Sequence, residues 1–294
     1  MFKIKKSIVT IGTFDGVHIG HRFLIKKTVL YAKKNNFKSI IIILEKPFKK
    51  VYGLLTTLAE KQEEIKFFCP DEIYIIKVPS DILLYSSNKF LYKFLKDKIA
   101  VSKLICSYDF AFGKKREGNI IWLKKKLIKN DMQLNVIEPL KYKSQNISSS
   151  YIRLELKKGN IDAVKSMLGK NYYFSGIPFR EKGIGIKIGF PTVNLKVNSN
   201  KILPIGVYIS LISQGTLLYP SITNIGNRIS FDRGSDIIPE THILGFNKIW
   251  QEKKTKIILL KKVRDERKFS NINDLRKQIL KDVAVALHFF HISK

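Results

Sequence analysis

Apolar positions in the first half of the chain follow two alternating rhythms. Ser7–Ile11 (SIVTI) is a short apolar run, and from His21 to Lys34 the residues Phe23, Leu24, Thr28 and Tyr31 recur at roughly helical spacing. Residues 39–44 (SIIIIL) form a continuous apolar run, as in a strand covered on both faces. Thr57 and Glu60 have capping-box spacing and open a helix. EIYIIKV (72–78) reads as a strand, Asn88–Lys98 as a helix, KLICS (103–107) as a strand, Ile120–Lys129 as a helix and QLNVIE (133–138) as a strand. This β-α-β-α order predicts an α/β fold with a doubly wound parallel sheet. Such sheets bind ligands at the carboxyl ends of their strands, beside the point where the strand order reverses.

Near Leu168 the pattern changes. Two helical stretches, 148–159 (SSSYIRLELKKG) and 161–168 (IDAVKSML), lead into strand-like pieces separated by Gly, Pro and Asn: NYYFSGI, TVNLKV, GVYISLI, THILGF and KIILLKKV. No long helix divides them, which predicts a small antiparallel β-barrel. An amphipathic helix over 271–290 closes the chain, with Asn273 as its expected cap. The predicted domains are 1–168 and 169–294.

Composition changes this picture little. With 294 residues and 45% hydrophobic side chains, the chain has the length for two buried cores. The formal net charge of +30 raises nucleic acid as a partner. The excess is spread, however: residues 1–168 carry 33 basic and 15 acidic side chains, residues 169–294 carry 21 and 9, and 45 of the 54 cations are Lys. An even Lys excess without a compact Arg and aromatic patch argues against nucleic acid. It leaves a compositional bias or a charge that serves polyphosphate ligands. Cys69 and Cys106 cannot build a disulfide framework, so a reducing, cytoplasmic setting is expected. The N-terminus reads as a strand rather than a signal, and no apolar run approaches the length of a membrane span.

Candidate chemistry begins at residues 12–21 (GTFDGVHIGH). Gly16 and Gly20 allow backbone to approach phosphates at a helix start, and His18 and His21, three apart, share one face of it. They are donors to a phosphoryl group, or half of a metal site whose other ligands would have to come from His242, His288 or His291. Transfer to an already ionised phosphate nucleophile needs no general base, only positioning and charge stabilisation. Residues 107–119 (SYDFAFGKKREGN) follow the fourth strand at the same sheet edge, and 147–153 (ISSSYIR) is a hydroxyl cluster with Arg153 one turn into a helix. In the second half, 183–195 (GIGIKIGFPTVNL) combines Gly183, Gly185 and Gly189 with Thr192 and Asn194, whose oxygens converge on a cation if they share a strand face. Glu240, in ETHIL, is a carboxylate at a strand start and can accept the proton of an attacking alcohol.

In this order and spacing, GTFDGVHIGH, SYDFAFGKKREGN and ISSSYIR resemble the adenylyltransferase half of bacterial bifunctional riboflavin kinase/FAD synthetases, part of the HxGH nucleotidyltransferase superfamily. GFPTVNL, LPIGVYI, TNIGNR, ETHILGF and RDERKF resemble the riboflavin kinase half. The resemblance implies that Gly12, Phe14, Asp15, His18 and His21 bind ATP and that Asp109 and Arg116 lie in the same site. It makes Ser148, Ser149, Ser150 and Arg153 a mobile phosphate-binding segment. It implies Thr192 and Asn194 near Mg²⁺ and nucleotide phosphates, and Glu240 as base on the ribityl hydroxyl. The implied reactions convert riboflavin and ATP to FMN, then FMN and ATP to FAD and pyrophosphate. Departures from the usual pattern are Ile186 and Lys187 at the second glycine turn, Ile229 and Ser230 after NIGNR, the shortened LEKPF (44–48), and Ser107. The competing readings are a transferase acting on another phosphate ester with a regulatory barrel, and a basic RNA-binding protein.

Overall fold

The computed structural model describes all residues except 1–5, 46–52, 78–79, 128–130, 180–184, 186–187, 231–233, 247–248 and 293–294; the side chains of 227–230 and 234–236 are likewise outside the description. The chain divides into two compact units, Met1–Ser149 and Ser150–Lys294.

The first unit runs β1 (Ser7–Gly12), α1 (Ile19–Lys34), β2 (Lys38–Leu44), α2 (Leu58–Lys66) and β3 (Glu72–Ile76). Next comes α3, which starts over Ser87–Lys89 and continues in π-helical turns over Phe90–Lys98, and then β4 (Val101–Ser107). A small hairpin, β5 (Ala111–Phe112) and β6 (Gly118–Asn119), precedes α4 (Ile120–Leu127) and β7 (Gln133–Ile137). A second hairpin, β8 (Lys141–Tyr142) and β9 (Gln145–Asn146), ends the unit. The main sheet has the order β3-β2-β1-β4-β7, parallel throughout, as the alternation predicted. The order reverses between β1 and β4.

Both faces of the sheet are covered. Val9, Ile11, Ile40, Ile42, Leu104 and Cys106 pack against Phe90, Leu91, Phe94 and Leu95 of α3 and Leu123 of α4. Ile8, Ile41, Ile43 and Ile105 meet Leu24, Ile25 and Ala32 of α1 and Ile65 of α2. An isoleucine run apolar on both faces leaves its own register weakly specified, because a one-residue slip swaps equivalent side chains. Polar contacts at the strand start select it. Ser39 gives its N–H (2.8 Å) and its hydroxyl (2.6 Å) to the Asp71 carboxylate, and Lys38 pairs with Glu72 at 2.5 Å.

The second unit opens with α5, which begins at the unit boundary (Ser149–Lys157), and α6 (Ile161–Leu168), capped by Asn160 and ended by Gly169 in the left-handed conformation. The turn between them lies on the barrel: Lys262 approaches the backbone of Gly159, whose φ is +75°. The barrel is closed in the order β10 (Tyr173–Phe179), β11 (Val193–Val197), β14 (Gly234–Ile243), β13 (Leu217–Ser230), β12 (Gly206–Gln214) and β15 (Thr255–Arg264). Inside it, buried hydroxyls satisfy one another in a row: Ser210 meets Ser221 (2.8 Å) and Thr223 (2.7 Å), and Thr223 meets Thr241 (2.9 Å).

The closing helix α7 (Ile272–Phe290) lays Val283, Ala286, Leu287 and Phe290 over Val207, Ile209, Ile222 and Leu244. It is also tied to β15 by Arg264, which grips Asp282 through three N–H···O contacts of 2.8–3.1 Å. Its cap is Asn271, not Asn273. Asn271 is extended and its side chain accepts the Asp274 N–H at 2.9 Å, whereas Asn273 already lies within the first helical turn. Among the described residues, no helix is long and apolar enough to cross a membrane.

Candidate active sites

Six residues join β1 to α1, and three of them take left-handed backbone: Phe14 (φ 45°), Gly16 (83°) and Val17 (41°). For a β-branched residue such as Val17 this conformation is strained, so it persists only where the surroundings dictate it. They do. The buried Asp15 carboxylate accepts the N–H groups of Leu55 (3.3 Å) and Thr56 (3.0 Å), and Gly16 N–H donates to the Thr56 hydroxyl at 2.8 Å. Lys61, buried in the first turn of α2, donates to the Thr13 carbonyl at 2.5 Å. From the start of α5, the Ser149 hydroxyl donates to the Asp15 carbonyl at 2.8 Å. Two glycines make room for rings: a Cβ on Gly12 would lie 3.2 Å from the Phe14 ring, and one on Gly20 would lie 3.2 Å from the His18 ring.

This loop sets the histidine pair. His18 is the N-cap of α1, which starts at Ile19, two residues before the start expected from apolar spacing, and its Nδ1 accepts the His21 N–H at 3.3 Å. An accepting Nδ1 leaves the proton on Nε2, so neutral His18 presents an N–H donor there. The two imidazoles stack 3.6 Å apart, and Phe14 meets His21 edge-on at 5.3 Å. Burial pulls the His18 pKa from its ordinary 6.5 down to about 4, against the upward pull of Asp15 and Asp109. His21 is held well below its ordinary value by burial first, then by His18 and Lys61. Both rings are therefore neutral near pH 7. The buried His21 Nδ1 makes no hydrogen bond among the described residues.

The end of β4, next to β1, brings Asp109 and Arg116 to the same edge. Ser107 donates to Asp109 at 2.6 Å, Arg116 Nη2 reaches the Asp109 carbonyl at 3.4 Å, and Asp109 is close enough to His18 to raise its pKa. Lys115 and Arg116 are consecutive left-handed residues (φ 55° and 62°). Their turn is fixed by Lys114 N–H to the Tyr85 carbonyl (2.8 Å) and by Ser87 N–H to Glu117 (2.5 Å). Ser148 is exposed just before α5, while Ser150 and Arg153 lie on α5 in the second unit. Pattern reasoning missed Thr56 and Lys61. The only local signal was the capping box Thr57/Glu60 between them, confirmed at 2.9 and 3.2 Å.

On the barrel, Asn194 of β11 is the register partner of Glu240 on β14, and Asn224 of β13 is its partner on the other side. The three side chains thus form one row on the outer face, opposite the interior row of Thr223 and Thr241. Thr192 is exposed and lies just before β11 rather than within it. The turn leading to it closes through Phe190 N–H to the Gly185 carbonyl at 2.8 Å. A Cβ on Gly185 would stand 2.5 Å from the Phe190 carbonyl oxygen, so only glycine fits. Gly189 has φ +86° and faces open space. Gly183, Ile186 and Lys187 lie outside the described residues, as do the side chains of Ile229 and Ser230 and residues 46–48 of LEKPF. Spacing marks His242 only as a further candidate metal ligand; its Nδ1 lies 2.9 Å from the Pro191 carbonyl. Among the described residues, no three His, Cys, Asp or Glu side chains gather as a metal site.

Comparison with known proteins agrees with both halves. A family model described as FAD synthetase matches residues 3–151, and one described as riboflavin kinase matches residues 168–290. A relative from Buchnera aphidicola subsp. Schizaphis graminum, named bifunctional riboflavin kinase/FMN adenylyltransferase, is 34% identical over 97% of this chain and 95% of its own. Proteins of the same name from Bacillus subtilis and Escherichia coli K12 are each 28% identical, covering 97% and 98% of this chain and 93% and 94% of theirs. A crystal structure titled as a macrolide-efflux protein from Streptococcus pneumoniae shares the fold, with a TM-score of 0.85 at 23% identity over 97% of this chain and 94% of that one. With matches to both domain models and to full-length relatives, this chain belongs to the bifunctional riboflavin kinase/FMN adenylyltransferase family, whose members phosphorylate riboflavin to FMN and adenylylate FMN to FAD.

Proposed function

We propose that the two reactions are divided between 1–168 and 169–294, with the histidine pair serving adenylyl transfer and Glu240 serving as base in phosphorylation. The observation that carries this reading is the row Asn194–Glu240–Asn224 on the outer face of the barrel. It offers a carboxylate flanked by amides, while the β1–α1 edge offers neutral nitrogen donors and a helix N-terminus. FMN phosphate reaches the α-phosphorus of ATP already ionised. Its site therefore needs groups that stabilise charge on the transferring phosphoryl: His18 through Nε2–H, His21, Arg116, and the serines and Arg153 of 148–153. Gly12, Phe14, Asp15 and Gly20 shape the loop, and Asp109 orients Arg116. The ribityl alcohol must lose a proton as it attacks the γ-phosphorus, and Glu240 accepts it.

The oxygens of Thr192 and Asn194 suit a hard cation held largely by substrate phosphates, and they would hold Mg²⁺ there. When bound, the cation supplies charge neutralisation of the phosphates. Gly185 and Gly189 belong to the turn that leads to Thr192, and with Gly183 of the same motif they are assigned to the nucleotide phosphates. The reducing cytoplasm suits a chain with two unpaired thiols. A fragment covering 169–294 tests the division: given riboflavin and MgATP it should make FMN and never FAD. A folded but inactive fragment would defeat the boundary or the assignment of the kinase to the barrel.

A further inference from the structure

We propose that His242 is a positioning residue for riboflavin phosphorylation: it latches the Phe190–Pro191 turn onto β14 and so sets Thr192 against Glu240. The inference rests on the roles given above to Thr192 and Glu240. His242 stands two residues beyond Glu240 on β14, so both side chains leave the barrel on its outer face. Its ring holds two consecutive residues from a turn 51 positions away in sequence. Nδ1 lies 2.9 Å from the Pro191 carbonyl oxygen, and the ring meets Phe190 edge-on with centroids 5.4 Å apart. A carbonyl oxygen can only accept, so Nδ1 carries the proton and donates.

The Pro191 carbonyl belongs to the same rigid peptide plane as the Thr192 nitrogen, so pinning that oxygen fixes the plane from which Thr192 starts. The proline ring already fixes φ at residue 191. β11 begins only at Val193, so Thr192 lies just outside the strand that would otherwise position it. At its other end the turn closes on Gly185, and Gly189 between them is left-handed with open space around it. The His242 contacts tie this turn to the strand that carries Glu240 just ahead of the β11–β14 ladder, which begins at Val193.

The test uses the full-length protein and reads the KM for ATP against kcat in riboflavin phosphorylation, with FMN adenylylation as an internal control. His242→Phe keeps an aromatic ring against Phe190 and removes the donor. His242→Asn returns an amide N–H close to the Nδ1 position. KM for ATP should rise about five- to tenfold in His242→Phe, the scale of one lost hydrogen bond, with kcat little changed. His242→Asn should recover most of the loss, and adenylylation should be unchanged in both. A parental KM in His242→Phe overturns the latch, as does an Asn variant no better than Phe. So does an equal fall in kcat and kcat/KM accompanied by a lowered Tm. Thr192→Val separates the latch from the assignment beneath it. If Thr192→Val is harmless while His242→Phe raises KM, the role of Thr192 fails and the latch acts elsewhere on the turn. If Thr192→Val raises KM, adding His242→Phe should make it no worse, and additive losses would overturn action through Thr192.

Discussion

At the start of α1, two imidazoles are stacked 3.6 Å apart and kept neutral by burial. On the barrel, a carboxylate stands on an outer strand face with an asparagine in register on either side. In the division proposed above, the contrast follows the two nucleophiles. A phosphate attacks as an anion and needs donors that carry no competing demand for a proton. An alcohol attacks as a neutral group and needs an acceptor. The supports differ as well. The histidine loop is strained and held by side chains 40 or more residues away, through Asp15–Thr56, Gly16–Thr56 and Lys61–Thr13. The Glu240 row inherits its geometry from antiparallel register, which sets neighbours without strain.

The strongest attack on this comparison is Glu240→Gln. The amide is nearly isosteric, so the row with Asn194 and Asn224 persists while the proton acceptor is lost. Riboflavin phosphorylation should fall by about 10²–10⁴-fold, the usual worth of general acid–base catalysis, towards the lower end if the transition state is loose. FAD made from supplied FMN should continue at the parental rate. Near-parental kinase activity would make Glu240 an orienting carboxylate and remove the chemical contrast between the sites.

Burial of neutral histidines carries a stability cost at acid pH that sharpens the same contrast. The unfolded chain binds a proton at His18 below its ordinary 6.5, whereas the folded chain resists until about 4. The unfolded state therefore holds more protons in that window, and stability falls as pH drops through it, with His21 acting in the same direction. The His18 contribution approaches about 3 kcal/mol near pH 4. Hydrogen exchange of β1 and β4 amides at pH 7 and pH 4.5 should show the loss. His18→Asn, which keeps a capping oxygen, should flatten it. Identical pH dependence in parent and variant would mean that His18 is not held neutral by the fold.

Strand and helix alternation, the capping box at Thr57 and the barrel were legible because each is written in spacing over a few residues. The motifs of the candidate sites stand out for the same reason. What the spacing could not carry were contacts between segments far apart. Asp15 reads as a ligand residue, yet its carboxylate also bonds to Leu55 and Thr56. Gly20 reads as a phosphate glycine, yet it leaves room for the His18 ring. Lys61 looks like one more surface cation in a Lys-rich chain, and only the fold brings it to the Thr13 carbonyl. At the end of the chain, two asparagines compete for one cap, and backbone conformation selects Asn271.

The smallest effect expected within this comparison, that of His21→Ala, probes whether the neutral pair is chemistry or packing. His21 has packing work to do: it stacks on His18 and receives the edge of Phe14. It also keeps a buried Nδ1 without a hydrogen bond among the described residues, a cost that a purely structural ring has no reason to carry. Adenylylation of FMN should therefore fall by about tenfold or more in His21→Ala, the scale of losing one charge-stabilising donor. Riboflavin phosphorylation should be unchanged. His21→Phe supplies the control, since an aromatic ring still fills the space against His18 and Phe14. If His21→Phe restores adenylylation, the ring serves packing and the nitrogen does nothing. If it is as impaired as His21→Ala while Tm stays parental, the nitrogen acts on the phosphates, and the two sites differ in the way their nucleophiles require.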